Sequence, residues 1–478
     1  MSLFRTKSVD VILAESEDTT HHLKRSLGPV NLVALGIGAI IGAGLFSLTG
    51  IVAADNAGPA VVLSFVVAAI GCAFAGMCYS EFATMIPIAG SAYTYAYATM
   101  GELLAWIIGW DLVLEYAVGA ATVSVSWSAY VVRLLERFDI HLPSNFIHCP
   151  WDMTPGLINL PAILIVFAIS ILLMIGISES AGVNAVIVAI KVTIVIIVIA
   201  IGFSYIKPQN YTPFIPPNTG KFGQFGISGI MRAAAVIFFA YIGFDAVSTA
   251  AQEAKKPKRD MPIGIIGSLI ICTILYVLFA HVLTGMVSYH TFRGDAAPVE
   301  TVIKLFPSAW LQIAINIGII AGFSSVILVM LLGQSRVFYS MSRDGLLPAI
   351  FSDTHPKWRT PWRCNLIFMV FVSLFSGFLP ISNLGNMTSI GTLLAFVIVS
   401  IAVIVMRRTH PALPRPYRTP LVPLVPILAV LVCMAMMVSL DSLTWYRLVV
   451  WLAIGLAIYF SYSRHHSHAV KVEEEAKR

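Results

Sequence analysis

Charge is what this sequence has least of. Of 478 residues, 11% are charged and 58% are hydrophobic, and the mean hydropathy is +0.86. A soluble globular chain carries roughly 25% charged residues, so a surface facing water on all sides is excluded. Cysteine is sparse as well: Cys72, Cys78, Cys149, Cys272, Cys364 and Cys433 form no CxxC and no Cys/His ligand spacing. That argues against a metal or redox centre and for small buried hydrophobes. HExxH and GxSxG are missing too, so nothing suggests the nucleophile and base of an intramembrane enzyme. Residues 1–26 are polar, no cleavable leader is evident, and the first apolar run serves as its own insertion signal.

What the chain does have is apolar length. Runs of about 20 residues, enough to cross a hydrocarbon core of about 30 Å, recur along nearly all of it. The expected spans are 28–52, 57–80, 102–133, 156–178, 182–206, 226–252, 262–290, 308–340, 363–381, 385–406, 421–439 and 443–463. The fold class is therefore an all-α polytopic membrane protein with twelve transmembrane helices. The net charge of +6 does not indicate nucleic acid, because the basic residues sit in alternate loops, "HHLKR", "KKPKR" and "RRTHPALPRPYR". By the positive-inside rule both termini are cytoplasmic. The segment 85–101, "MIPIAGSAYTYAYATMG", is expected at the cytoplasmic interface, and the tail "KVEEEAKR" is expected to be disordered.

Two spans are interrupted by glycine. In the first, "GAIIGAGLF" places Gly38, Gly42 and Gly44 within seven residues; in the sixth, "FFAYIGFDAVSTAAQE" sets Gly243 and Asp245 in apolar surroundings. The first set alone fits close helix packing or unwinding equally well. The matching interruption favours unwinding. Five helices separate the two breaks, and an odd number inverts the second unit, giving two inverted five-helix repeats with a broken first helix in each. The expected boundaries are a tail 1–27, repeats 28–206 and 207–406, two further spans within 407–463, and a tail 464–478.

A broken helix in lipid exposes backbone groups that need partners. At the first break, the amides of Ala43 and Gly44 open a half-helix and suit a carboxylate, while carbonyls near Ile40 suit an ammonium. Carbonyls near Phe239, Ala240 and Ile242 complete a site for a zwitterion, most naturally an L-amino acid.

Five charged residues within spans stand out. Lys191, deep in the fifth, either exchanges a proton during a transport cycle or permanently caps helix-end carbonyls. Asp111 and Glu115 share one face of the third span; Glu115 is a proton acceptor, a cation partner, a neighbour of a basic substrate or a helix contact. Asp245 is expected to satisfy the broken sixth helix. Arg232 is expected to snorkel, and His281 to make a helix contact.

These segments, with "GSAYTYAYATMGE", "GWDLVLEY", "PKRDMPIG", "GQSRVFYSMSRDGLLP" and "RPYRTP", together resemble the amino acid–polyamine–organocation superfamily, specifically its cationic amino acid transporter branch. The resemblance runs from about residue 24 to 463. It implies a LeuT-like five-plus-five inverted repeat with two additional helices. It also implies that Gly42, Ala43 and Gly44 hold the substrate carboxylate and that the Ile40, Phe239 and Ile242 carbonyls hold the amine. Phe239 would act as an aromatic gate, Lys191 as the proton-coupling group, and Ser324 and Ser325 would flank it. Ala43 stands where some relatives carry serine, which shifts the carboxylate onto backbone amides. Twelve spans in place of fourteen resemble the bacterial members.

The function expected on this basis is proton-coupled symport of L-amino acids, cationic ones such as arginine included, across the plasma membrane. Protons are the coupling ion and no other cofactor is expected; a proton-independent amino-acid exchanger is the alternative. The lipid-facing surface of the last two spans leaves room for a small membrane-protein partner that the sequence does not identify.

Overall fold

The computed structural model describes residues 5–7, 27–86, 91–176, 181–249, 251 and 254–468. Among these the chain is helical, without a β-strand. The principal helices are α1 (Pro29–Ile40), α2 (Val61–Met85), α3 (Ser91–Thr99), α4 (Glu102–Glu136), α5 (Leu160–Ile175), α6 (Ala181–Gly202) and α7 (Gly226–Ile237). They continue with α8 (Pro257–Met286), α9 (Pro298–Ile303), α10 (Ala309–Arg343), α11 (Trp362–Phe378), α12 (Ile381–Thr409), α13 (Leu424–Ser439) and α14 (Ser442–Ile458). Eight helical stretches are long and apolar enough to cross a membrane; α1, α5, α11 and α13 are shorter apolar helices.

Continuous helix is the response to lipid, where every peptide group must find a partner within its own segment. Two segments depart from it. The first span halts at Ile40: Ile41 turns extended (φ −73°, ψ 103°), and the chain resumes as a π turn at Gly44–Leu48 and runs helically to Ala57. The sixth narrows after α7 into a 3-10 turn, Phe238–Tyr241, becomes extended at Ile242, passes through Gly243 at φ +120°, and reforms as Ala246–Thr249. Only glycine adopts the Gly243 conformation without strain.

The packing list has an internal symmetry. Helix α2 lies on α8, α4 on α10, and α5 on α11. The pair α1–α8 has its counterpart in α7–α2, α1–α6 in α7–α12, α6–α10 in α12–α4, and α5–α10 in α11–α4. Exchanging α1 with α7, α2 with α8, α4 with α10, α5 with α11 and α6 with α12 maps these pairs onto one another.

Within the segment expected at the interface, α3 is covered by neighbouring helices. Tyr93, Tyr95 and Tyr97 of α3 are buried, with Tyr95 stacked on Phe82. The aromatic rings that suit an interface also supply large buried area when helix ends cover them. Residues 464–468, the start of the expected tail, are docked: Ser467 is buried and bonded to Glu102. The tail sequence beyond residue 468 lies outside the described residues. Arg232 does not merely snorkel: its Nε donates to the Ser439 carbonyl at 2.7 Å and its guanidinium lies over Phe222.

Candidate substrate site at the crossed breaks

The two interruptions meet. A methyl group built on Gly44 would lie 2.2 Å from Ala240 Cα and 2.7 Å from its nitrogen, and one on Gly243 would lie 2.8 Å from the Ala39 carbonyl carbon. Each break thus rests a glycine on the backbone of the other. Gly42 faces α10, where an added methyl would sit 3.3 Å from Val326 Cγ2.

At the first break, the Leu45 and Phe46 amides both donate to the Gly42 carbonyl at 3.2 Å. That carbonyl opens the new half-helix, so the N–H groups of Gly42, Ala43 and Gly44 precede its first bonded donor, Leu45, and carry its positive end. Ala43 is helical (φ −61°, ψ −26°) and fully buried. These amides can take a carboxylate or another anion.

The carbonyl end of α1 is occupied by side chains. Lys191 Nζ donates to the Gly38 carbonyl at 2.7 Å, with the lysine buried and its stem against Gly322 of α10. The Tyr276 hydroxyl, from α8, lies 2.8 Å from the Ile40 carbonyl and 3.0 Å from that of Ala240, sharing one proton between the two breaks. The Phe239 carbonyl accepts from the Ile242 amide at 3.2 Å. An ammonium placed at Ile40 and Ala240 therefore competes with Tyr276 for the same lone pairs. Phe239 and Ile242 are buried beside these groups.

Asp245 ties off the sixth break. Its Oδ1 accepts from the Gly243 amide at 3.2 Å, its Oδ2 from the Tyr116 hydroxyl at 2.8 Å, and its own carbonyl from the Ser248 amide at 2.8 Å. Glu115 stands in a π turn of α4, Leu114–Val118, fully buried near Asp245 and Thr392. Its carboxyl is within reach of the Asp245 carboxylate and the Thr392 hydroxyl, while Asp111, one turn away, makes no hydrogen bond among the described residues. Of the two serines, Ser324 accepts from Trp127 Nε1 at 3.0 Å and donates to the Ile320 carbonyl, so it is committed to α4. Ser325 is buried with its hydroxyl unpartnered. Gly322, two and three residues before these serines, packs directly against the Lys191 stem.

Sequence reasoning missed Tyr276 and Tyr116. A tyrosine within an apolar run carries no positional signal, and only the crossing of the breaks reveals what each hydroxyl satisfies. Among the described residues no group of His, Cys, Asp and Glu forms a metal site. His281 stacks on Tyr211, centroids 4.8 Å apart.

A helical chain whose apolar spans carry two crossed helix breaks has the form of a transporter. The family model described as amino acid permease matches residues 27–459. Over 98% of both chains, the sequence is 47% identical to a branched-chain amino acid permease, BcaP, of Bacillus subtilis. It is 43% identical to a methylthioribose transporter of the same organism, over 98% of this chain and 99% of that one. It is 36% identical to the vacuolar cationic amino acid transporter 4 of Arabidopsis thaliana, over 86% of this chain and 68% of that one. The chain belongs to the amino acid permeases of the amino acid–polyamine–organocation superfamily, in the branch with the cationic amino acid transporters. It is an amino acid transporter and not an enzyme.

Proposed function

We propose that the chain imports L-amino acids together with protons across the cell membrane. In this reading there are twelve spans, both termini are cytoplasmic, and α1–α6 and α7–α12 are inverted repeats of the LeuT-like kind followed by α13 and α14. The exchange symmetry of the packing list supports the repeat. The basic residues on the face that carries the tails, among them Lys7, Lys255, Lys256, Lys258, Arg259 and Arg407, support the orientation.

The observation that carries the reading is the crossing of the two breaks at Gly44 and Ala240. It sets three amides that open a half-helix close to the Ile40 and Ala240 carbonyls, as an α-amino acid requires. The substrate carboxylate rests on Gly42, Ala43 and Gly44, and its ammonium displaces Tyr276 from the carbonyls, with Phe239 and Ile242 alongside. Val326, Ala43 and Phe239 make the nearest surroundings apolar, which favours branched apolar side chains over arginine. Glu115 lies on the Asp245 side of the sixth break, where it can face the side chain of a bound substrate.

Protons couple through Lys191. As an ammonium it neutralises the carbonyl end of α1; as an amine it loses charge there, and α1 is released to move. The same bond also favours a second reading, an exchanger in which Lys191 is a permanent cap. Purified protein in sodium-free liposomes, given labelled leucine, alanine and arginine, separates them. Uptake driven by an inward proton gradient and lost in Lys191→Ala is expected. Uptake that ignores the gradient and requires amino acid inside the vesicle would establish the exchanger.

A further inference from the structure

The chain leaves the membrane at the end of α12 and re-enters it at the start of α13. The connection between them carries four arginines, Arg407, Arg408, Arg415 and Arg418, and no acidic residue from Met406 to Leu424. One carboxylate reaches it. Glu81, buried near the end of α2, accepts from Arg407 Nε at 3.1 Å and Nη2 at 2.8 Å, and from the Thr419 amide at 2.8 Å. Arg415 Nε lies 3.4 Å from the same carboxylate. Four guanidinium groups against one carboxylate leave an excess of three positive charges at this corner of the bundle.

Two of the four are spent on the fold. The Arg415 guanidinium donates to the carbonyls of Met406, His410, Pro411 and Leu413, so the connection is wound around it. Arg407 Nη2 also donates to the Thr419 carbonyl at 3.0 Å, and the Thr419 hydroxyl to the Met77 carbonyl at 3.1 Å. Arg408 and Arg418 are exposed, and among the described residues their guanidinium groups make no hydrogen bond or ion pair. Each is the chain neighbour of one partner in the Arg407–Thr419 bond, so the contacts that fix the connection also hold these two at one corner. Beside them α13 sets out with one bare apolar stripe. Leu424, Ile427, Leu431 and Val438 are exposed, whereas Val425, Ala429, Cys433 and Met436 are buried, and Leu421, just ahead of the helix, is 73% exposed.

We propose that this corner binds one anionic phospholipid, its phosphate on Arg408 and Arg418 and its acyl chains along Leu421, Leu424, Ile427 and Leu431. A guanidinium presents a planar fork of donors that matches phosphate oxygens. A zwitterionic headgroup brings its own ammonium and no net charge, whereas an anionic one brings the counter-charge that the corner lacks. A soluble anion would satisfy the arginines and leave the leucines bare. A lipid satisfies both at once, and it does so where two spanning helices meet the surface. Because Arg407 and Thr419 tie the connection to Glu81 and Met77, a lipid seated there also braces the ends of α2, α12 and α13 against one another. The site is separate from the crossed breaks and independent of which substrate or ion the protein moves.

The test uses full-length protein in an uncharged detergent, titrated with long-chain phosphatidylglycerol or phosphatidylcholine. Native mass spectrometry counts the lipid retained, and Tm is read on the same samples. Phosphatidylglycerol should be retained and raise the Tm under conditions that strip phosphatidylcholine. Arg408→Gln with Arg418→Gln should weaken its binding roughly thirtyfold, about fivefold for each arginine at an anionic surface, and keep the parent Tm in lipid-free detergent. Arg408→Lys with Arg418→Lys keeps the charge and should still hold the lipid, which a misfolded protein would not do. Lys258→Gln with Arg259→Gln, an exposed basic pair on another connection, should change nothing; an equal loss there would reduce the effect to general attraction and overturn the proposal. Glycerol phosphate that displaces the lipid at equal concentration would mean an anion site with no use for acyl chains. Equal retention of phosphatidylcholine would mean an apolar groove alone, and either result overturns the proposal.

Discussion

Substituting Gly44 by alanine tests the crossing of the breaks at its tightest point. The added methyl would lie 2.2 Å from Ala240 Cα, 2.4 Å from its Cβ and 2.7 Å from its nitrogen. Ordinary carbon contacts are about 3.5–4.0 Å, so the two strands of backbone must part by more than 1 Å. No rotamer change can relieve a clash with Cα and nitrogen. Overpacking of this kind costs about 1–3 kcal/mol, and a displacement of about 1 Å at a positioned site costs roughly 100-fold in rate. The expected outcome is a protein that inserts and purifies with a lowered Tm and takes up labelled leucine at about 1% of the parent rate. Adding Ala240→Gly should not rescue it, because the closest atoms are backbone. Gly28→Ala is the control: nothing lies within 4 Å of its added methyl and its φ is ordinary at −88°. Parent-like uptake by Gly44→Ala, with parent-like Tm, would refute the crossed-backbone argument.

Other consequences can be read at single residues. Tyr276→Phe removes the hydroxyl between the Ile40 and Ala240 carbonyls, so the Tm should fall by the equivalent of about 1–3 kcal/mol while the KM for amino acid falls, because the ammonium no longer competes; a raised KM would contradict the competition. Tyr116→Phe takes one donor from Asp245 and should reduce uptake more than it reduces Tm, measured on the same preparation. Glu81, 3% exposed, accepts two bonds from Arg407 and one from the Thr419 amide. Glu81→Ala should destabilise by about 3–5 kcal/mol, seen as loss of the monodisperse peak on mild heating, with Arg407→Ala giving a comparable loss.

Much of the architecture was legible because lipid leaves the backbone few options. Apolar runs could only be helices, and the helices fall where the runs do: α2 replaces 57–80, α10 replaces 308–340, α12 replaces 385–406. The breaks were legible for the complementary reason. Glycines at 42, 44 and 243 weaken a helix where nothing else compensates, and the second interruption disambiguated the first. The burial of α3 was not legible, since a run of tyrosines and small residues suits an interface and a packed helix end equally well. The roles of Tyr276 and Tyr116 were not legible either. A hydroxyl 236 residues from the Ile40 carbonyl it satisfies is placed by tertiary packing, and no local spacing encodes that distance.

The caps on the broken helices bear on how substrate and proton are linked. Two carbonyls at the end of α1, Gly38 and Ile40, are satisfied by a lysine from α6 and a tyrosine from α8, two residues apart along α1. A bound ammonium adds positive charge next to the Lys191 ammonium already on Gly38, and like charges at that spacing repel. Symport requires the two to be carried together, so this repulsion has to be outweighed by the cap: Lys191 as an ammonium holds the end of α1 in the shape that presents the Ile40 carbonyl to the amine. A proton on Lys191 then strengthens the hold on substrate, and by reciprocity of linkage substrate strengthens the hold on the proton. Uptake of leucine should thus rise as the external pH falls, and Lys191→Met should flatten that dependence. Uptake that falls with external pH in the parent protein would mean that the two sites oppose rather than cooperate, and that the proton travels elsewhere.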